Sequence, residues 1–379
     1  MEVSDQASDS PASAREPASL IGMLPDEIAA MLQSWDEPTY RAKQVTEWVY
    51  QRRAASYEEM TNLSLPLRTR LATWKPLHTM SIAEVQGSHD TTRKYLFRLH
   101  DRRYVESVFI PANLTDDGER ADRRTLCVSS QVGCAYDCKF CASGLAGFTR
   151  NLGAEEIIEQ VIQVERHSGQ RVDNIVFMGM GEPLANFTNL LRALTILQAP
   201  WGLGIGSRHM TVSTSGLAPQ IKKLADAPLP VRLAISLHGA TDAVREQIMP
   251  VNRKYPLEVL FDALIYFRDR RKQKITFEYI LIAGVNDSLE QAKVLARRAQ
   301  GLSAKINLIP YNTVEGLPWS RPAVAQQEAF CTILTDAGLP ATIRHEKGHD
   351  IDAACGQLRL RQEMADGTIA TVVPRVAKA

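Results

Sequence analysis

Three closely spaced cysteines are the residues of this sequence best suited to chemistry. Cys134, Cys138 and Cys141 have the spacing C-x3-C-x2-C and make up half of the chain's six cysteines. Thiolates this close in sequence can turn toward one centre, and soft sulfur ligands favour zinc, Cu(I) or an iron–sulfur cluster. Structural zinc normally takes four ligands, and ferredoxin-type clusters take four cysteines. Three thiolates therefore favour a [4Fe-4S] cluster that leaves one iron open to a small molecule.

The spacing of these cysteines, with Phe140 between the last two, resembles the signature of the radical-SAM superfamily. In that superfamily the open iron of a [4Fe-4S] cluster holds the amino and carboxylate groups of S-adenosyl-L-methionine (SAM). The resemblance implies that the cluster and SAM are cofactors, with Cys134, Cys138 and Cys141 as the cluster ligands. The alternative is a zinc site whose fourth ligand is Cys127 or a distant residue.

The composition is that of an ordinary soluble globular protein, since 45% of the 379 residues are hydrophobic and 23% are charged. A net charge of +1 argues against a general polyanion binder, although local basic faces can still hold nucleic acid. We find neither an apolar run of about 18 residues, as a membrane span requires, nor an apolar secretion signal in residues 1–18. We therefore expect a cytoplasmic protein whose cysteines stay reduced.

Strand and helix patterns alternate from Arg124 onward, and 154–167 is an example of the amphipathic helical stretches. The apolar runs predicted as strands are 125–130, 174–178, 209–214, 231–237, 275–282, 305–311 and 341–344. This alternation predicts a parallel sheet with right-handed crossovers. Because the units fall short of eight full repeats, we predict an α/β fold with a partial (β/α)6 TIM-like barrel.

We divide the chain into five predicted segments at the points where polar stretches give way to stretches with the periodicity of helices or strands. They are a disordered leader at 1–18, a helical accessory domain at 19–80, a β-hairpin linker at 81–119, the barrel core at 120–348, and a C-terminal loop and tail at 349–379. The hairpin is predicted from strands 94–99 and 104–110, which alternate around a turn. Basic residues offer candidate phosphate contacts at Arg41, Lys43, Arg52, Arg53, Arg268, Arg270, Arg271 and Lys272.

Polar motifs follow the predicted barrel strands at the points where those strands end. The three-cysteine loop follows the first strand, Gly181 and Glu182 follow the second, Ser213 ends the third, Ser236, Leu237 and His238 end the fourth, and Asn312 follows the sixth. In barrels of this type the chemistry lies at the C-terminal ends of the strands. Each motif is a weak signal alone, but together they predict one site at one barrel face.

With these motifs the chain resembles the RlmN/Cfr family of radical-SAM RNA adenine methyltransferases, from about residue 24 to residue 358. The most specific features are Cys127, seven residues before the cysteine loop, and the Ala-Cys-Gly-Gln-Leu segment around Cys355. The resemblance implies SAM contacts by Gly181, Glu182, Ser213, Ser236, Leu237, His238 and Asn312.

The resemblance also implies a methyl carrier, since the electron-poor C2 of adenine cannot attack the methyl group of SAM directly. Cys355 takes a methyl group from one SAM, and a second SAM is reduced to a 5′-deoxyadenosyl radical that removes a hydrogen atom from it. The carbon radical adds to adenine, and Cys127 then attacks the Cys355 sulfur to give a transient disulfide. Glu106 corresponds to the proposed acceptor of the ring proton, with Cys127 as the alternative.

The substrates implied by the resemblance are an adenosine of the peptidyl-transferase centre in 23S rRNA and an adenosine of certain tRNAs. A flavodoxin-type electron donor and a monomeric enzyme are implied as well. Two alternatives remain at this point, a methyltransferase of the same family that acts on C8 and a zinc-bound RNA-binding module. The accessory helices and the Asp-Ile-Asp-Ala sequence from Asp350 favour C2 over C8.

Overall fold

The structure is a computed structural model, and it describes residues 17–89, 91–111, 123–145, 147–312, 317–344 and 357–367. Its strands are β1 (Met80–Gly87), β2 (Arg93–Leu99), β3 (Tyr104–Ile110), β4 (Thr125–Cys127), β5 (Gln131–Gly133), β6 (Phe148–Asn151), β7 (Asn174–Phe177), β8 (Met210–Thr214), β9 (Arg232–Ser236), β10 (Ile275–Leu281), β11 (Lys305–Pro310) and β12 (Ala341–Ile343). Most of the predicted leader, and Cys355 with its neighbours, lie outside the described residues.

The α-helices lie before, between and after the strands in the chain. They are α1 (Pro25–Gln33), α2 (Tyr40–Thr46), α3 (Leu65–Trp74), α4 (Ala142–Leu145), α5 (Ala154–Ser168), α6 (Phe187–Gln198), α7 (Ala218–Asp226), α8 (Asp242–Ile248), α9 (Leu257–Arg271), α10 (Leu289–Gln300), α11 (Val324–Asp336) and α12 (Gln357–Ala365). Across the described parts of the chain, none of them combines the length and apolar character that crossing a membrane requires.

The strands of the main sheet follow one another in chain order, from β1 to β4 and then from β7 to β12. Within the main sheet, strands β1 to β4 pair antiparallel, whereas β4 and strands β7 to β12 pair parallel. The parallel part coincides with the strand–helix alternation of the sequence and confirms the predicted α/β fold. Strands β5 and β6 form a separate hairpin beside the end of β4.

Side chains alternate between the two faces of the parallel strands. Phe277 and Tyr279 of β10 stack against Phe261 of α9 and Phe330 of α11, so these two side chains face the helices. The residue between them, Glu278, therefore points to the interior of the barrel. Apolar residues fill the helix side, and the polar residues of the site lie on the interior side.

Side chains at the starts of the accessory helices accept hydrogen bonds from the backbone N–H groups that the first helical turn leaves unpaired. Glu27 accepts a hydrogen bond from the backbone N–H of Leu24 at 2.8 Å, and Ser64 caps α3. Arg192 of α6 donates to the carbonyl of Gly22 at 2.6 Å, and the buried residues of both regions belong to one hydrophobic cluster. The helices at the N-terminus therefore pack directly on the barrel.

Strands β1, β5 and β6 and helix α12 are among the elements that were not predicted from the sequence. Strand β1 extends the hairpin to three strands, and α12 is a helix where we expected a loop and tail. The sequence of α12 is largely polar, but Leu358 packs with Leu96 and Tyr104 of the hairpin. Tertiary contacts therefore stabilise a helix that its own apolar pattern does not indicate.

Candidate active site

The cysteine loop lies between β5 and α4, and its backbone is held from two sides. Cys134 N–H donates to the carbonyl of Gly147 at 3.1 Å, and Lys139 N–H donates to the carbonyl of Ile248 in α8 at 2.9 Å. Gly133, just before the loop, has φ +78°, and a Cβ there would lie 1.8 Å from the Gly147 oxygen. Only glycine fits at this close approach.

The three thiols interact with one another. Burial raises the pKa of Cys134 to about 12, and the charge of Cys141 adds to this rise. Burial also raises the pKa of Cys138 well above its ordinary value, and the charges of the other two thiolates add to that rise. Burial therefore favours the protonated thiols of Cys134 and Cys138 unless a positive group binds them.

The donor set fits an iron–sulfur cluster. Within the described ranges, no three side chains of His, Cys, Asp or Glu are arranged so that they could hold one metal ion. The thiolates of a [4Fe-4S] cluster bind separate iron atoms and do not need to converge on one point. Cys134, Cys138 and Cys141 supply soft ligands on a fixed loop, and a cluster's iron atoms would stabilise their thiolate forms.

Gly181 and Glu182 follow β7 and lie next to the cysteine loop. A Cβ on Gly181, which has φ +97°, would lie 2.5 Å from the Cβ of Gln131. The carboxylate of Glu182 accepts backbone hydrogen bonds from Ser215 at 2.6 Å and Leu184 at 3.1 Å. Burial raises the pKa of Glu182, and these hydrogen bonds oppose the rise. The charge of Glu182 in turn acts on the thiols of the cysteine loop.

The ends of β8 and β9 are joined by a buried arginine. Arg245 of α8 donates to the carbonyls of Leu237 and Ser215 and to Asn252 Oδ1. Burial lowers the pKa of Arg245 to about 10, and the charge of Cys138 opposes this fall. Arg245 therefore holds the loops after two strands in place beside the cysteines, a role that the sequence did not indicate.

His238 connects the end of β9 to the cysteine loop. Its Nδ1 accepts a hydrogen bond from the backbone N–H of Ile280 at 3.0 Å, and its ring meets Phe140 edge to face at 4.8 Å. Burial lowers the pKa of His238 to about 3, so the ring is neutral and carries its proton on Nε2. The residue has φ +56°, in the left-handed region that residues other than glycine rarely adopt.

The remaining predicted SAM contacts lie along the same strand ends. Ser213 of β8 pairs with Ala234, two residues before Ser236 at the end of β9. Asn312 follows β11, and its Oδ1 accepts a hydrogen bond from Arg321 at 2.6 Å. The structure thus brings these predicted contacts to the C-terminal ends of neighbouring parallel strands.

Cys127 and Glu106 lie on one face of the sheet. Val108 of β3 pairs directly with Cys127 of β4, and Glu106 lies two residues before Val108 on the same face. Glu106 is 1% exposed, and its carboxylate contacts Lys94 Nζ at 3.0 Å. Its other oxygen accepts from the backbone N–H of Arg359 in α12 at 2.6 Å. The face that carries Cys127 is therefore the face on which α12 packs.

Lys94 could have been found from the sequence, because a lysine in the apolar run of β2 is unusual. The side chain is fully buried and its partner is Glu106. A buried charge requires such a partner, so a lysine beside Tyr95, Leu96 and Phe97 is a signal for a buried ion pair. Glu106 is the only charged residue of β3 in the same predicted hairpin, so the sequence also offers its partner, and the structure shows that the two side chains are in contact.

Several of the predicted phosphate-contact residues have partners within the protein. Arg53 is 7% exposed and forms an ion pair with Glu165, so it is a structural residue and that prediction was wrong. Arg268 and Arg271 at the end of α9 donate to the carbonyls of Gly301 and Leu224. The end of α9 precedes β10 and so lies at the N-terminal end of the barrel, opposite the cysteine loop.

Comparisons with known proteins give a consistent result. Residues 128–295 match the Radical SAM superfamily, and residues 18–75 match the family described as "Ribosomal RNA large subunit methyltransferase N-terminal domain". A probable dual-specificity RNA methyltransferase RlmN of Akkermansia muciniphila is 53% identical over 338 residues, which cover 89% of this chain and 94% of that protein. The dual-specificity RNA methyltransferase RlmN of Campylobacter fetus subsp. fetus is 43% identical over 353 residues, covering 91% and 99% of the two chains.

A solved structure is similar over nearly the same length. The crystal structure of a radical SAM methyltransferase from Sphaerobacter thermophilus superposes with a TM-score of 0.85 at 42% identity. The match covers 90% of this chain and 99% of that one. The similarity therefore includes the accessory helices as well as the barrel.

Proposed function

The chain belongs to the RlmN family of dual-specificity RNA methyltransferases, and we propose that it methylates C2 of adenine in 23S rRNA and in tRNA. One observation carries the proposal: Phe140 of the cysteine loop meets His238 at the end of β9 with ring centroids 4.8 Å apart, so the loop lies at the ends of the parallel strands. Reduced thiols and RNA substrates favour the cytoplasm as its location. A flavodoxin-type electron donor and a monomeric enzyme complete the proposal.

The cysteine loop and strand ends are the proposed binding site of the cluster and SAM. When bound by Cys134, Cys138 and Cys141, the cluster supplies the electron that cleaves SAM. Glu182 is suited to accept hydrogen bonds from the SAM ammonium group, because its buried carboxylate lies at the strand ends and its charge acts on the thiols of the cysteine loop. The neutral ring of His238 offers an Nε2–H donor at the same face.

The hydroxyl and amide side chains along the strand ends are proposed to bind the rest of SAM. Ser213, Ser236 and Asn312 supply groups that can both donate and accept hydrogen bonds. Gly181 lets the backbone approach closely, and the backbone of Leu237 is held in place by Arg245.

Cys355 is the proposed methyl carrier, since a carbon as electron-poor as C2 of adenine does not attack an electrophilic methyl group. Its thiolate attacks the methyl carbon of the first SAM, forming a sulfur–carbon bond while the sulfonium bond breaks. The adenosyl fragment of a second SAM then removes one hydrogen atom from this methyl group. The methylene carbon that remains on the Cys355 sulfur adds to C2 of adenine. A covalent bond now joins enzyme and RNA, and it must be broken to release product.

Cys127 and Glu106 are the residues proposed to complete the reaction. The adduct loses the C2 proton, for which Glu106 is the acceptor, and one electron, which would return to the cluster that gave an electron to cleave the second SAM. The Cys127 thiolate then attacks the Cys355 sulfur, so that a disulfide forms and the bond to the RNA methylene group breaks. The released carbon takes a proton and becomes the methyl group. The backbone N–H of Arg359 contacts Glu106, and Arg359 is only four residues from Cys355. A chain of four residues spans at most about 14 Å, so Cys355 is no further than this from Arg359.

The accessory helices carry the surface proposed to bind RNA. Arg41 lies over the ring of Tyr40, Arg52 over Trp48, and these pairs have guanidinium-to-ring distances of 4.9 and 4.5 Å. The ring of Tyr40 is 57% exposed. An exposed ring beside a guanidinium group, as at Tyr40, suits stacked bases and phosphates of single-stranded RNA.

The proposal is tested by following a labelled methyl group. We expect anaerobically reconstituted protein to gain a deuterated methyl group on Cys355 when given labelled SAM, as measured by peptide mass spectrometry. Addition of reductant and rRNA should remove the label from Cys355, and it should appear on C2 of adenine. Cleavage of SAM without any modification of Cys355 would contradict the carrier role, and a label on C8 would contradict the assigned ring position.

A further inference from the structure

Glu278 of β10 is a buried carboxylate that the proposed reaction does not use. Its side chain points into the barrel interior, since Phe277 and Tyr279 on either side of it face the helices. Glu278 is 4% exposed, and its Oε1 accepts a hydrogen bond from Asn307 Nδ2 at 2.8 Å. Its Oε2 is buried and has no hydrogen-bond partner among the residues that the structure describes. A buried acceptor left unpaired is costly, so such an atom usually has a role.

The position of Glu278 is fixed by the pairing of its strand. It lies directly beside Ser236 of β9 and Asn307 of β11, and its carbonyl accepts from the backbone N–H of Leu237 at 3.0 Å. Ser213 pairs with Ala234, two residues before Ser236. Glu278 therefore lies one interior layer closer to the C-terminal strand ends than Ser213, among the residues proposed to contact SAM.

The order of the strands indicates which part of SAM would reach Glu278. Glu182, the proposed partner of the ammonium group, follows β7, and β10 lies three strands further along the sheet. Three strand spacings correspond to about 14 Å. The methionine end is placed near β7 by the cysteine loop and Glu182, so the adenosyl end extends toward β9, β10 and β11.

The chemistry of the carboxyl group favours a hydroxyl as its partner. Burial raises the pKa of Glu278, while the charges of Arg344 and Lys305 and the hydrogen bond from Asn307 lower it. A hydroxyl can donate to a carboxylate and can accept from a carboxylic acid, so it suits either protonation state. A ribose is the part of SAM that carries hydroxyl groups.

We propose that Glu278 Oε2 hydrogen-bonds a ribose hydroxyl of SAM, with Asn307 holding the carboxyl group in position. This assignment rests on the proposed function, because it takes SAM as the ligand of the barrel. It adds a specificity residue on β10 to the contacts at the strand ends. SAM lacking that hydroxyl would leave the buried oxygen unpaired and would bind more weakly.

The test compares SAM with its 2′-deoxy and 3′-deoxy analogues by equilibrium dialysis on the cluster-reconstituted protein. We expect the unaltered protein to bind one analogue at least about tenfold more weakly than SAM, as loss of a hydrogen bond to a charged group implies. Glu278→Ala should bind SAM about as weakly and should no longer distinguish SAM from that analogue.

Two further variants control for folding and for charge. Glu278→Gln keeps the shape and an acceptor for Asn307, and we expect it to fold and to lose part of the discrimination. Glu290→Gln removes a surface carboxylate that is 69% exposed, and it should bind all three ligands as the unaltered protein does.

Equal discrimination in the unaltered protein and in folded Glu278 variants would overturn the assignment, as would binding of both analogues as tightly as SAM. Failure of the proposed function would give a different result from failure of the Glu278 assignment. In that case the unaltered protein would bind SAM with hydroxyl discrimination but would transfer no methyl group to Cys355 or to RNA.

Discussion

At the scale of single residues, buried polar side chains organise the site more than exposed ones do. Lys94 and Glu106 are both almost fully buried and lie in contact between neighbouring strands. Glu106 also binds the backbone of α12, so one carboxylate connects the hairpin with the helix that follows Cys355. A charge at this depth is tolerated only with its partner, which makes the pair interdependent.

Replacing Lys94 alone should therefore be more damaging than replacing both members of the pair. Lys94→Met leaves the Glu106 carboxylate without its cation, and we expect a loss of about 3–5 kcal/mol in the free energy of unfolding. Adding Glu106→Gln should recover most of that loss, as measured by urea denaturation. Lys293→Met, at an exposed ion pair with Glu290, should change stability by less than about 1 kcal/mol. Equal losses for Lys94→Met and Lys293→Met would contradict the interdependence of the buried pair.

At the scale of elements, α12 is the least expected part of the fold and the one closest in sequence to Cys355. Leu358 packs with Leu96 and Tyr104, and Tyr104 also donates a hydrogen bond to Asp366 at 2.6 Å. Arg359 and Glu363 form a buried ion pair one turn apart. The helix is therefore attached to the hairpin along its whole length.

Weakening this attachment should affect α12 before it affects the barrel. We expect Leu358→Ala to speed hydrogen exchange in 357–365 and to slow the methylation of Cys355, since a cavity replaces the contact with Leu96. Met364→Ala, at a side chain on the same helix that is 36% exposed, is the matched control and should leave both rates near their original values. Unaltered exchange in Leu358→Ala would show that other contacts hold the helix.

At the scale of the whole molecule, the arginines suggested as phosphate contacts lie at different places. Arg41 and Arg52 belong to the accessory helices, and each lies over an aromatic ring. Arg268 and Arg270 belong to the end of α9, at the N-terminal end of the barrel, where Arg270 pairs with Asp226. A substrate bound at the cysteine loop is on the opposite side of the barrel from the second pair.

Substitutions at these two places should therefore differ in their effect on RNA affinity. Arg41→Ala with Arg52→Ala should weaken RNA binding and reduce the slope of log affinity against log salt by about one to two, as expected for lost phosphate contacts. Arg268→Ala with Arg270→Ala removes the same charge and should leave RNA affinity nearly unchanged. Fluorescence anisotropy across a salt series measures both. A larger effect of the second pair would contradict the proposed RNA surface.

Much of the fold could be predicted because its signals are local. The strand–helix alternation of 125–344 depends on which face of each element is apolar, and this is visible within a short window. The hairpin of β2 and β3 was predicted for the same reason. Helix α12 was not predicted, since its stability comes from contacts with residues more than 250 positions earlier, such as that between Arg359 and Glu106.

By itself, the sequence determined the cysteine loop, the parallel barrel and the positions of polar residues at its strand ends, because spacing and periodicity are properties of short segments. Only the tertiary structure decided that Lys94 pairs with Glu106, that Arg53 is buried with Glu165, and that Glu278 points into the barrel with one oxygen unpaired. The physical reason is that a buried polar group is defined by its partner. Those partners come from distant parts of the chain, and folding alone brings them together.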